Sequence, residues 1–217
     1  MIKYISILVG PALAASQYFI WVYAPGEATM GEIQRIFYFH LSFAWWAFVC
    51  FFLVFAASIG VLTRKNEFWN HLAGASGEVG VLFTTLTLVT GSLWAKGAWN
   101  TWWTWDPRLS TALIMWFVYC AYLVLRSGAP ESLKIRRISA VLGIVAFLDV
   151  PLVFLSARLW RSMHPAVFAS KGGGLSPEMW HATLASLLAW GIFTFALLFL
   201  RTRQFQARER IVQLNQG

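Results

Sequence analysis

The chain has little charge and almost no cysteine. Asp, Glu, Lys and Arg make up 12% of its 217 residues, about half the share of a soluble domain, so an ordinary soluble fold is excluded. Its two cysteines, Cys50 and Cys120, lie far apart in separate apolar runs, and no Cys-x-x-Cys occurs. That argues against a thiol–disulfide membrane enzyme and against zinc or iron–sulfur ligation; both read as small buried apolar residues. An ATP-binding motif is absent, so any energy input must come from another polypeptide. No small-residue cleavage pattern follows the first apolar run, which therefore reads as a retained span. No repeat or linker divides the chain, leaving a single domain over 1–217.

What is present is apolar: 59% of the residues, with a mean hydropathy of +0.62. A helix needs about 20 apolar residues to cross about 30 Å of hydrocarbon. Six runs qualify, at 4–23, 41–62, 78–95, 109–126, 138–157 and 180–200, followed by a polar tail. The expected fold is all-α and polytopic, with six transmembrane helices. Lys and Arg number eleven on the side holding both termini and six on the other, which places both termini in the cytoplasm. The net charge of +8 thus sets orientation and meets membrane lipid rather than nucleic acid. In a bacterium, the loops around 24–40, 94–110 and 158–179 then face the periplasm across the inner membrane. Asp149 sits in the fifth run, two residues before Pro151, which frees a carbonyl one turn back. A carboxyl there is either functional or a packing group at a kink.

Five of the thirteen tryptophans, Trp94, Trp99, Trp102, Trp103 and Trp105, fall within twelve residues, and Asp106 and Arg108 follow at once. Scattered tryptophans mark a membrane-interface belt. Five together suit a platform for something planar and apolar. His40 precedes this segment on the outward side and His164 follows it. Imidazole, aromatic platform and imidazole in three outward segments fit a planar metal macrocycle held by two axial nitrogens. A ligating imidazole must be neutral, so binding weakens as pH falls below about 6.5. Arg35, Lys96, Arg108, Arg158 and Arg161 lie on the same side and are candidate partners for two propionates. His181 is a second candidate for an axial role, whereas His71 reads as a solvated or interfacial residue. Asp106 is open to two roles, helix N-cap and functional group. Lys171-Gly-Gly-Gly-Leu-Ser-Pro177 reads as a flexible run that lets the His164 loop move.

These motifs carry a resemblance. Trp-Asn-Thr-Trp-Trp-Thr-Trp-Asp-Pro-Arg-Leu-Ser at 99–110 resembles the tryptophan-rich "WWD" signature of the haem-handling proteins of cytochrome c maturation. Arg-Ile-Phe-Tyr-Phe-His at 35–40 and Leu-Trp-Arg-Ser-Met-His at 159–164 resemble the segments carrying that family's two outward histidines. Six spans and two flanking histidines match its smallest branch, the haem exporter C (CcmC) type. The likeness extends from about residue 30 to 200. Pro107 departs from the usual motif, but proline suits the first turn of a helix and should leave binding intact.

The resemblance implies a non-enzymatic protein of c-type cytochrome biogenesis. It implies haem b held transiently at the periplasmic face of the inner membrane by the tryptophan segment and ligated by His40 and His164. Delivery would be to the haem chaperone CcmE, beside the ABC-type partners CcmA and CcmB and the small single-span CcmD. Two other classes remain open on the residues alone: a bis-histidine membrane cytochrome for electron transfer, and a small transporter with a gating tryptophan loop. A transporter predicts broken helices in matching halves, and only the fifth span is clearly broken.

Overall fold

The computed structural model describes residues 2–64, 66–128, 132–160 and 175–216. Helix α1 (Ile2–Tyr18) widens into a π-helical turn (Phe19–Tyr23), and a short 3₁₀ helix (Glu32–Arg35) leads into α2 (Ile36–Thr63). Then come α3 (Phe68–Trp99), α4 (Pro107–Gly128), α5 (Leu133–Ala146), α6 (Asp149–Leu159) and α7 (Pro177–Gln216). Among the described residues, five helical segments are long and apolar enough to cross a membrane, α5 and α6 counting as one, and Ile7–Tyr23 is a shorter sixth. The expected all-α, polytopic architecture is what the chain adopts.

Its core is built where α2 and α3 run side by side. Phe51, Val54, Phe83, Tyr119 and Tyr122 are fully buried, and the rings of Phe51 and Tyr119 stack with centroids 3.6 Å apart. The close approach depends on Gly80: a Cβ there would lie 2.5 Å from Phe51 Cε1. Lipid tails give apolar helices no reason to associate, so small residues and interhelical polar contacts must hold them. The Ser42 hydroxyl lies 2.9 Å from that of Ser186 on α7, the Trp46 indole donates to the Leu187 carbonyl at 2.9 Å, and Trp116 donates to Thr85 Oγ1 at 2.8 Å.

The run expected to be one fifth span is two helices, broken at Phe147–Leu148. Pro151 has no N–H to give the Phe147 carbonyl, and Val150 N–H takes it instead at 3.1 Å. Asp149 thereby falls in the first turn of α6, where a helix favours negative charge. Its Oδ2 is buried with no hydrogen-bond partner among the described residues.

The tail beyond residue 200 continues α7 to 40 residues, about 60 Å, twice the hydrocarbon thickness. No Gly or Pro interrupts 192–216, and Arg, Gln, Glu and Ala sustain the helix. His71, read as a solvated or interfacial residue, is not solvated, because this tail covers it. His71 is 7% exposed, its Nε2 lies 2.9 Å from a Glu209 carboxylate oxygen, and its ring lies parallel to that of Phe205. Glu209 also meets Arg136 of α5 at 3.3 Å, tying three helices together at this end. Cys50 is buried, Cys120 half-buried, and both are free thiols.

Candidate functional site

At the other end, α2, α3 and α4 line an open cleft of about 810 Å³, counting the space that communicates with solvent. Its polar and aromatic wall is His40, Trp94, Trp99, Trp103 and Arg108; Phe48, Leu88, Met115 and Val153 line its apolar floor.

His40 stands in the second turn of α2, with its ring centroid 6.0 Å from that of Trp94. Its Nδ1 lies 3.1 Å from the Thr87 carbonyl and 3.2 Å from Thr90 Oγ1, both on α3. The Thr90 hydroxyl donates to the Leu86 carbonyl at 2.7 Å, so the imidazole is the donor to both oxygens. In a neutral ring the proton therefore sits on Nδ1, the tautomer in which Nε2 is the ligating nitrogen. Gly91 permits this fit, since a Cβ there would lie 3.0 Å from His40 Cε1 and 3.4 Å from Nδ1. Thr87, Thr90 and Gly91 were not singled out by the sequence. Their only signal is a small polar residue every third or fourth position in an apolar run.

The segment 94–110 is part helix and part loop. Trp94 and Trp99 belong to the last two turns of α3, with ring centroids 5.8 Å apart. Trp94 is 3% exposed and also packs against Phe37, so it is core and site wall together. Asn100, at φ 55° and ψ 24°, closes α3 in the left-handed conformation that Asn tolerates. The chain then runs irregularly to Asp106, whose Oδ1 accepts from the N–H groups of Arg108 at 2.8 Å and Leu109 at 3.3 Å. Asp106 is thus the N-cap of α4, and Pro107 is its first residue.

The tryptophans divide. Trp103 faces the cavity, and its indole N–H is buried with no hydrogen-bond partner among the described residues. Trp102 is 56% exposed, with Lys96 Nζ 5.8 Å from its ring centroid, and Trp105 is 79% exposed and meets Trp103 edge-on. Neither lines the cavity.

The cations divide too. Arg108 lines the cavity. Lys96 donates to the Asn100 side chain at 2.8 Å. Arg35 is buried and donates to the Ile20 carbonyl, the Ala24 carbonyl at 3.3 Å and Glu32. Ile20 lies in the π-turn and Ala24 caps it, so Arg35 joins that turn to α2 rather than facing the cavity. His181 lies 3.0 Å from the Tyr23 hydroxyl through Nδ1, away from the cavity. His164, Arg161 and the glycine run at 171–174 lie outside the described residues, as does the side chain of Arg158.

The sequence as a whole matches the family model described as heme exporter protein C over residues 1–216. The chain belongs to that family. Among its relatives, heme exporter protein C of Bradyrhizobium diazoefficiens is 30% identical over 190 residues, covering 88% of this chain and 71% of that one. Heme exporter protein C of Escherichia coli K12 is 28% identical over 176 residues, covering 81% and 69%. A ccmC-like mitochondrial protein of Marchantia polymorpha, named for cytochrome c biosynthesis, is 28% identical over 186 residues, covering 85% and 78%. For a haem exporter, the cavity has a suitable lining: an imidazole, three indoles, a guanidinium and an indole N–H without a partner among the described residues.

Proposed function

We propose that this chain holds haem b as cargo in the cavity between α2, α3 and α4 and hands it on for c-type cytochrome biogenesis. The observation that carries the reading is His40, oriented by the bond of its Nδ1 to α3, in a cavity walled by three indoles. His40 ligates one face of the haem and His164 the other. Trp94, Trp99 and Trp103 pack against the porphyrin. Arg108 and the Trp103 indole N–H meet propionate oxygens, which supplies the acceptor Trp103 lacks.

Trp102 and Trp105 extend the aromatic surface outward, where a second protein can reach it. The receiving protein in this reading is the haem chaperone CcmE, with CcmA, CcmB and CcmD as the other members of the assembly. The excess of Lys and Arg at the opposite end supports cytoplasmic termini and a periplasmic site in the bacterial inner membrane. The protein acts by binding and release and catalyses no bond change.

An absorption spectrum of the detergent-purified protein, co-expressed with the chaperone, tests this beside His40→Ala and His164→Ala. A low-spin haem spectrum lost or shifted in each variant is the expected result. Haem absent from the wild type, or indifferent to both changes, overturns the reading.

A further inference from the structure

A second cleft, of about 1190 Å³ counting the space that communicates with solvent, opens at the opposite end of the bundle. On α3 it is lined by residues between Asn70 and Glu78 and the first by residues between Thr84 and Trp99, with centres about 27 Å apart along the helix. The two share no lining residue. Four arginines face it, Arg126, Arg136, Arg201 and Arg208, against two carboxylates, Glu78 and Glu209. Arg201 is paired with Glu78, and Arg136 with Glu67 and Glu209. Arg126 and Arg208 have no carboxylate within ion-pair distance among the described residues.

Arg126 is nonetheless held in place. Its Nη2 donates to the Asn70 carbonyl at 2.9 Å, and its guanidinium lies 5.6 Å from the Tyr122 ring centroid. Gly74 makes room for it: a Cβ there would lie 2.9 Å from Nη2. An organised cation with only neutral partners, beside a second unpaired one, is a seat for an anion. The cavity wall runs out through Leu123 and Val124 of α4, and Val124 is 70% exposed on an apolar helix flank. A ligand seated here has its charge among arginines and an apolar path beside it.

We propose that this cavity binds the phosphate headgroup of an anionic phospholipid, with the acyl chains following α4. Arg126 and Arg208 contact the phosphate, and Arg136 and Arg201, balanced by Glu67, Glu209 and Glu78, frame it. Basic pockets between helices at the cytoplasmic leaflet suit such headgroups. The site is independent of the haem reading and stands or falls without it.

The test uses the full chain, delipidated in a neutral detergent, with phosphatidylglycerol, phosphatidylcholine or inorganic phosphate added. Binding is read by native mass spectrometry and by the shift in melting temperature. Phosphatidylglycerol is expected to bind in preference to phosphatidylcholine and to raise the melting temperature. Arg126→Gln and Arg208→Gln should each weaken it about fivefold. Arg203→Gln and Arg210→Gln, on the same helix as Arg208 but outside the cavity, should leave it unchanged. Because Arg126 also braces α3, Arg208→Gln alone decides the matter if Arg126→Gln fails to fold. Equal binding of phosphatidylcholine overturns the proposal, as does equal loss in the Arg203 and Arg210 variants. Protection by inorganic phosphate matching that by phosphatidylglycerol also overturns it, in favour of a soluble anion.

Discussion

Replacing Gly91 by alanine should separate haem affinity from stability. Gly91 lies inside α3, where alanine is favoured over glycine by about 0.5–1 kcal/mol. The added methyl would sit 3.0 Å from His40 Cε1, so the imidazole must retreat by a few tenths of an ångström. His40 Nδ1 is already 3.1 Å from the Thr87 carbonyl and 3.2 Å from Thr90 Oγ1. The retreat stretches these bonds toward the limit of useful geometry. Loss of one such bond is worth about 0.5–1.5 kcal/mol. Gly91→Ala should therefore weaken haem binding about two- to tenfold while melting at the wild-type temperature or above. The assay is a haem titration followed by absorption, paired with thermal melts on the same preparation. Thr90→Val, which removes one oxygen without crowding the ring, should weaken haem in the same range. Wild-type affinity in both variants would refute the claim that α3 sets the orientation of His40. A fall in affinity accompanied by an equal fall in stability would assign the effect to packing instead.

Further outcomes follow from single contacts. Gly80→Val places atoms where Phe51 stands and should destabilise the protein by about 1–3 kcal/mol, read as a lower melting temperature. Asp106→Ala should cost about 1 kcal/mol through loss of the α4 cap, whereas Asp106→Asn keeps the cap; normal haem binding by the Asn variant would limit Asp106 to that structural part. Arg35→Met leaves the Ile20 and Ala24 carbonyls and Glu32 without their donor, and thermal melts should show a loss of about 2 kcal/mol. Asp149→Asn should melt at or above the wild-type temperature, because a buried amide without a partner costs less than a buried carboxylate; a clear loss of activity with unchanged melting would mark Asp149 as functional.

The features legible in the sequence are those fixed by composition or by backbone chemistry. Six apolar runs give the spans, and proline without an N–H gives the break before Asp149. Asp-Pro after an irregular segment gives the start of α4. What escaped the sequence depends on which way a side chain turns. His71 looked solvated because its neighbours Asn66, Glu67 and Asn70 are polar; only the helical tail of α7 buries it. Arg35 looked like a propionate partner because it lies at the outward end, yet the π-turn at Phe19–Tyr23 offers it carbonyls that no pattern announces. The five tryptophans formed one cluster in sequence. After Asn100 the backbone has no period, so nothing in their spacing tells Trp103, which faces the cavity, from Trp102 and Trp105, which face out.

That division of the tryptophans bears on how such a site can release what it holds. A carrier needs a fixed half that selects its cargo and an accessible half through which the cargo leaves. His40, Trp94 and Trp99 are fixed, since each sits on a long helix and packs against its neighbour. Trp102 and Trp105 sit on a seven-residue connection with most of their ring surface uncovered. Their exposure is unneeded for closing the cavity, and in the function proposed above it is the surface the receiving protein meets. Alanine at both positions should therefore leave haem affinity near the wild-type value and slow transfer to the chaperone. Titration gives the first quantity and the rate of haem appearance on the chaperone gives the second. Equal losses in both would show that the two rings belong to the binding cavity after all.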